Sequence, residues 1–239
     1  MRERLVIIPT YDEKENIRDI ITHVIALQPE FHVLVVDDNS PDGTAGIVKE
    51  MQREIPARIH LLERKGKLGL GTAYIAGFKW AIERKYQYVF EMDADFSHDP
   101  DDLVRLYEAC ATGGADMSVG SRYVKGGQVR DWTWERILMS FGASLYVRTI
   151  LWLGVRDTTA GFVCYKLHVL EVLPLDEIKF IGYAFQIEMK YRVKLHGFKI
   201  KEVPITFVDR IKGRSKMSMN IFNEAFLGVL KMRMNIKRP

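Results

Sequence analysis

The sequence predicts an α/β domain built on a mostly parallel sheet flanked by helices. Three observations lead there. Short apolar runs alternate with stretches of helical spacing through the first half of the chain, which is the pattern of βαβ units. Four of those runs end in polar clusters: Tyr11-Asp12-Glu13, Asp37-Asp38, Asp93-Ala94-Asp95 and Ser121-Arg122. Right-handed crossovers bring the loops after such strands to one edge, where α/β sheets bind their ligands. Finally, 239 residues with 47% hydrophobic and 28% charged content fit one large folded domain with an appended tail.

Residues 4–8 are an apolar run stopped by Pro9 and read as a buried first strand. Ile17, Ile20, Ile21, Val24 and Leu27 recur at helical spacing over 16–27. A second strand over 33–36 runs into an acid- and amide-rich turn, where Asp42 or Thr44 can cap a helix reaching Ile55. Residues 59–62 form a third strand. Gly66, Gly69 and Gly71 then break the chain before a helix over about 72–84. They match neither the Walker A pattern nor the dinucleotide fingerprint, and read as a loop closing over a ligand or as a turn before the helix. Residues 88–92 are the fourth strand, 100–112 a helix and 117–120 a fifth strand.

The second half is less regular. Residues 132–155 hold a long apolar helix carrying Arg148. A cation there would cost ~2.5–3.5 kcal/mol at the centre of a spanning helix, so a buried or bilayer-surface helix is expected. Further strands are expected over 161–165 and 201–208, with a helix over 185–195 between them. Cations then dominate: Lys201, Arg210, Lys212, Arg214, Lys216, Lys231, Arg233, Lys237 and Arg238. With Ile221, Phe222, Phe226, Val229, Leu230, Met232 and Met234 they predict a basic amphipathic helix over 217–239, suited to an anionic membrane surface. Residues 1–216 would form the main folded domain. A net charge of +4 is too small to imply a nucleic-acid partner. Cys110 and Cys164 form no C-x-x-C and read as reduced thiols of a cytoplasmic protein. The N-terminus enters a strand directly, with no signal peptide.

The chemistry centres on Asp93-Ala94-Asp95. If the fourth strand continued through them, the two carboxylates would share a face. At ~4 Å they would repel by about 4 kcal/mol at an effective dielectric of about 20. A shared proton, a divalent cation or solvent exposure would relieve that repulsion; the strand end favours the cation, and hard oxygen donors select Mg²⁺ or Mn²⁺. The alternative is a solvated turn in which Asp99 caps a helix beginning at Pro100.

Six motifs stand in order: Pro9-Thr10-Tyr11-Asp12-Glu13, Asp37-Asp38-Asn39-Ser40-Pro41-Asp42-Gly43-Thr44, Leu68-Gly69-Leu70-Gly71-Thr72-Ala73-Tyr74, Met92-Asp93-Ala94-Asp95-Phe96-Ser97-His98, Gly120-Ser121-Arg122-Tyr123, and Val208-Asp209-Arg210 through Ser215-Lys216. Together they resemble the dolichyl-phosphate mannosyltransferase group of family 2 glycosyltransferases, from Leu5 to about Lys216. The resemblance implies the GT-A fold, a Rossmann-like sheet. It also implies inverting transfer of mannose from GDP-mannose to a polyprenyl (dolichyl) phosphate. By motif position, Pro9, Tyr11 and Glu13 would line the nucleotide pocket. Val36 and Asp38 would hold base and ribose, with Asp37 beside them. Asp93, Ala94 and Asp95 would meet the sugar and diphosphate, and Asp95 and Ser97 would ligate Mg²⁺ or Mn²⁺. Arg122, Arg210 and Lys216 would stabilise phosphate charge, and Arg122, Arg136 and Ser140 would contact the acceptor phosphate. Many members continue into transmembrane helices; here either amphipathic helices suffice or a small membrane-anchor subunit is a partner, with the protein expected peripheral on the cytoplasmic face. A phosphate acceptor is already an anion near pH 7, so no dedicated general base is expected and His98 is read as a loop support. Two other readings stay open: the same chemistry with UDP-glucose, and a non-catalytic nucleotide-sugar-binding scaffold.

Overall fold

The computed structural model describes residues 3–182, 184–209 and 220–236, the last stretch with side chains from residue 227 onward. Seven strands form the main sheet: β1 (Arg4–Thr10), β2 (His32–Asp37), β3 (Ile59–Glu63), β4 (Tyr88–Glu91), β5 (Met117–Ser121), β7 (Val163–Lys166) and β8 (Ile200–Pro204), in the order β3-β2-β1-β4-β7-β5-β8. All run parallel except β7, which is antiparallel to both β4 and β5. Two short strands, β6 (Gln128–Arg130) and β9 (Thr206–Val208), pair in a separate ribbon.

Alternation along β1 builds two layers. Val6 and Ile8 pack with α1 (Ile17–Ala26), α2 (Thr44–Glu54) and α4 (Asp102–Ala111). Leu5 and Ile7 pack on the other face with α3 (Leu70–Glu83), α6 (Leu167–Val172) and α7 (Ala184–Leu195). Side chains at i and i+2 of a strand share a face, so one strand feeds both cores. A third cluster joins α5 (Trp134–Leu151) and α7 to the C-terminal helix α8 (Asn220–Asn235), through Val147, Leu151, Tyr191, Val229 and Met232.

Several sequence expectations change. Pro9 lies within β1, in register with Val36 of β2. Ile7 turns its carbonyl toward β4, accepting from Met92 N at 3.2 Å, so the nitrogen of Pro9, two residues on, faces the same side, past the last β4 partner Glu91. A proline is tolerated where no ladder bond is needed. Strand β4 stops at Glu91, so Asp93 and Asp95 lie in the following loop and not on one strand face. The residue before α2 is Gly43, at φ 92°, and Asp42 instead accepts from Thr44 N and Oγ1 at 2.9 and 2.6 Å. The helix expected from Pro100 begins at Asp102, with Asp99 accepting from Asp101 N at 3.1 Å. The expected strand over 201–208 divides at Ile205 into β8 and β9. Strand β6 and helix α6 have no apolar period that sequence reading would detect.

Candidate active site

The parallel strands deliver their polar loops to one rim. Because β7 runs the other way, the loop before it, not the one after it, reaches the same rim, and that loop carries Asp157 and Thr159.

On the β1–β2 side the carboxylates are already engaged. Asp37 is fully buried and accepts from Thr10 Oγ1 at 2.7 Å, Ser40 Oγ at 2.6 Å and Ser40 N at 2.9 Å. Asp38 forms a two-pronged ion pair with Arg64, Nε to Oδ1 at 2.5 Å and Nη2 to Oδ2 at 2.8 Å. Arg64 also donates to Thr72 Oγ1 at 2.7 Å, and Leu68 N donates to Asp38 at 3.3 Å. The glycine-containing loop is therefore tied to Asp38 by charge. Gly69 needs φ 101°, and a Cβ on Gly71 would meet Phe185 at 2.8 Å, so these two glycines serve shape. Arg64 escaped sequence reading because it sits in a short basic run, Arg64-Lys65-Gly66-Lys67, that looks like solvated surface. Tyr11 is half-buried with the Lys67 ammonium 4.7 Å from its ring. Glu13 is half-buried, accepts from Asn16 Nδ2 at 3.2 Å, and its N–H donates to Thr44 at 3.1 Å. Pro9 and Val36 lie at the ends of their strands beside this group.

In the β4 loop, Asp95 is buried and accepts from Ser97 N at 3.0 Å across a turn whose middle residue, Phe96, has φ 58°. Ala94 and Ser97 are buried as well, whereas the Asp93 side chain is 39% exposed. Ser97 O accepts from Val208 N at 3.2 Å, pinning the loop to β9. Behind it lies Glu91, fully buried, accepting from Tyr165 Oη at 2.9 Å and from Gln186 Nε2. Burial raises the Glu91 carboxyl to about 7, against the pull of Gln186, Lys190 and Tyr165. Burial lowers the Lys190 ammonium to about 8, opposed by Glu91 and Asp157. Lys190 reaches Ala160 O at 2.7 Å, joining α7 to the loop before β7. The all-oxygen set of Asp93, Asp95 and Ser97 at this strand end fits a hard divalent cation. A separate group, His23, Asp99 and Asp101, brings its ligand atoms within 4.8 Å of one another. It lies at the α1–α4 surface and shares no member with that set.

Beyond β5, Arg122 is nine-tenths buried in a bidentate pair with Asp157, at 2.7 and 2.6 Å, with a further bond to Thr159 at 3.0 Å. Its guanidinium lies 5.2–5.4 Å from the ring centres of Tyr123, Trp132 and Phe207. Its charge is thus matched before any phosphate arrives. Asp157 was missed by sequence reading because site loops were sought after strands, and this one precedes a reversed strand. Arg136, one-third exposed, pairs with Asp209 at 2.6 Å and lies 4.0 Å from the Trp132 ring centre. Ser140 accepts from Tyr123 Oη at 2.7 Å. Arg122, Arg136 and Ser140 are therefore brought together through Tyr123 and Trp132. Arg210 and Lys216 lie outside the described residues.

One face of α5 is apolar and exposed: Trp134, Leu138, Phe141 and Leu145 are spaced by four, three and four residues, one helical stripe. Leu227, Leu230 and Met234 of α8 are exposed too. No described helix is long and apolar enough to cross a membrane.

The family model for glycosyl transferase family 2 matches residues 5–172, and the chain belongs to that family. Within it, the chain is 47% identical to the polyprenol monophosphomannose synthase of Mycolicibacterium smegmatis, over 94% of this chain and 84% of that protein. It is 46% identical to the undecaprenyl-phosphate mannosyltransferase of Micrococcus luteus, over 95% and 92%. Among solved structures it resembles glucosyl-3-phosphoglycerate synthase from Mycobacterium tuberculosis in complex with Mn²⁺, UDP and glucosyl-3-phosphoglycerate. The TM-score is 0.69 at 17% identity, over 98% of this chain and 81% of that one. That likeness establishes the GT-A fold.

Proposed function

We propose that this protein is an inverting polyprenyl-phosphate mannosyltransferase that takes mannose from GDP-mannose. The observation that carries the reading is the near-full-length similarity to two proteins named for that acceptor and sugar, joined to a rim that holds Asp93, Asp95 and Ser97. In this reading Pro9, Tyr11, Glu13, Val36, Asp37 and Asp38 line the nucleotide side. Arg64 is added to them as the residue that fixes Asp38. Asp93 and Ala94 meet the sugar and diphosphate, and Asp95 and Ser97 hold Mg²⁺ or Mn²⁺.

The cation, when bound, neutralises charge on the departing diphosphate. Arg122, relayed through its pair with Asp157, and by motif position Arg210 and Lys216 are assigned to phosphate charge. The acceptor phosphate is delivered near Arg136 and Ser140, with Asp209 exchanged for phosphate as the partner of Arg136. Since that phosphate is already ionised at neutral pH, the chain's own residues need only aim it and exclude water.

The apolar stripe of α5 and the exposed apolar residues of α8 give the lipid tail a route and the protein a hold on the cytoplasmic face of a membrane, the C-terminal basic helix supplying attraction to anionic headgroups. A small membrane subunit would strengthen that hold. The test is formation of lipid-linked mannose from GDP-mannose, Mn²⁺ and a polyprenyl phosphate, with UDP-glucose as the competing donor. Transfer from UDP-glucose and not from GDP-mannose would refute the donor assignment.

A further inference from the structure

Residues 178–182 join a short 3₁₀ helix (Leu175–Glu177) to α7, and they touch both the glycine-containing loop and α8. Toward the loop, Ile181 O accepts from Gly71 N at 2.9 Å. This meets one of the first N–H groups of α3, which have no partner within the helix. A Cβ on Gly71 would stand 2.8 Å from Phe180 O, and one on Gly69 would stand 3.1 Å from Ile181 Cβ. The approach to α8 is as close. A Cβ on Gly228 would lie 2.7 Å from Phe180 Cε1 and 3.1 Å from its Cζ, so the Phe180 ring occupies the space that a side chain at 228 would need.

The segment is also held from α7. Glu188, almost wholly buried, accepts from Lys179 N at 3.2 Å and Phe180 N at 3.4 Å through Oε2, and from Arg192 Nε at 2.8 Å through Oε1. Charge-assisted bonds from one carboxylate thus fix the backbone that carries both contacts. Phe180 packs on the cluster that joins α5, α7 and α8. On the other side the contacts continue to the rim. Arg64 donates to Gly69 O at 3.3 Å and to Thr72 Oγ1 at 2.7 Å, and its guanidinium grips Asp38. A shift of the Phe180 ring on α8 is therefore passed to Gly69 and Gly71, because close-packed interiors transmit strain and neither glycine has a side chain to absorb it.

We infer that Phe180 and Ile181 are positioning residues for the donor nucleotide: they brace the glycine-containing loop against α8 and so hold Arg64 and Asp38 where the nucleotide binds. Helix α8, which the proposed function seats at a membrane, then also sets donor affinity, through the notch at Gly228. The inference rests on the reading that Asp38 and Arg64 belong to the nucleotide side of the site.

The experiment uses the full chain with Mn²⁺. It reads GDP affinity by titration, kcat and KM for GDP-mannose and for a polyprenyl phosphate, and the thermal midpoint. Gly228→Ala adds the one atom that meets the ring. It is expected to weaken GDP binding and raise KM for GDP-mannose roughly 5-fold, with kcat and acceptor KM within about 2-fold of wild type. The midpoint should stay level or rise, because alanine favours a helix over glycine. Phe180→Leu removes Cε1 and Cζ and should weaken GDP binding by a similar factor. In the double variant the added Cβ fills the space those ring atoms leave, and GDP affinity is expected to return to within about 2-fold of wild type. Unchanged GDP affinity in both single variants, single effects that multiply in the double, or a loss shared by kcat, acceptor KM and midpoint would overturn the inference. Arg64→Lys separates it from the reading beneath it. Unchanged GDP affinity in Arg64→Lys would overturn the nucleotide assignment and this inference with it, whereas weakened binding there, with Gly228→Ala and Phe180→Leu silent, would overturn this inference alone.

Discussion

The two halves of the molecule treat charge and apolar surface in opposite ways. Up to β5, the rim carboxylates are immobilised by named donors: Asp37 by Thr10 and Ser40, Asp38 by Arg64, Asp95 by Ser97 N. Large apolar side chains there are inside the two sheet cores, with Leu68 the exposed exception. After β5, apolar side chains face solvent in number, Trp134 at 70% and Trp152 at 76% exposure among them. The cations Arg122 and Arg136 are held among aromatic rings. One half holds its polar rim groups in fixed geometry, as the proposed nucleotide and metal site requires. The other is built to be covered by something apolar, and patches of that kind mark interaction surfaces.

The largest expected effect lies in the first half. Asp95→Ala should cut mannosyl transfer by roughly 10³-fold, because metal stabilisation of a leaving diphosphate is worth several kcal/mol. EDTA should do the same to the wild type, with Mn²⁺ restoring activity to the wild type and not to the variant.

Next come the two buried ion pairs, one in each half. Arg64→Ala and Asp157→Ala each strand a buried charge and should cost about 3–5 kcal/mol in urea unfolding. The comparison sharpens in the kinetics. Conservative Arg64→Lys, which loses the two-pronged contact, should raise KM for GDP-mannose, whereas Asp157→Asn should raise KM for the polyprenyl phosphate. A donor effect from both would mean that the halves are not separate in function.

A smaller effect is expected at the apolar stripe. Trp134→Glu with Leu138→Glu should weaken binding to anionic vesicles by roughly 10-fold or more, since each buried apolar side chain is worth about 1.5–3 kcal/mol. Transfer to a short, water-soluble polyprenyl phosphate should be little changed. Equal loss on both acceptors would place the stripe in catalysis instead of attachment.

The smallest is a pH dependence of stability centred on Glu91. Its carboxyl is raised by burial from 4.5 to about 7, so between those values the native state holds more proton than the unfolded chain. Stability from this group is complete below about pH 4.5 and is lost as pH rises through about 7. Stability should decline across that window and stay level in Glu91→Gln, measured by urea titration.

The contrast also explains what could be read in advance. Strands β1 to β5 and their polar ends were legible because buried parallel strands are continuous apolar runs and their crossovers obey one handedness. The acid pair Asp93 and Asp95 pointed to the β4 loop, whereas Ser97 entered only through the family resemblance. Arg64 was not, because a basic run beside glycines looks the same whether its arginine is buried or solvated. Asp157, Gln186 and Lys190 were not, because their importance comes from β7 running backwards, and a single sequence carries no sign of strand direction. The apolar period over 132–155 announced α5, yet the same pattern serves a core helix and a lipid-facing one, and only exposure in the folded chain separates them.

The proline in β1 has a consequence for where the sheet can open. At a seam where neighbouring strands diverge, most residues would point an amide hydrogen into the widening gap and leave it to find water or a mismatched acceptor. Pro9 has no such hydrogen. The gap between β1 and β4, the place where strand order reverses, can therefore be dry or filled by a ligand without an unmet donor on that wall, and Pro9→Ala would introduce one.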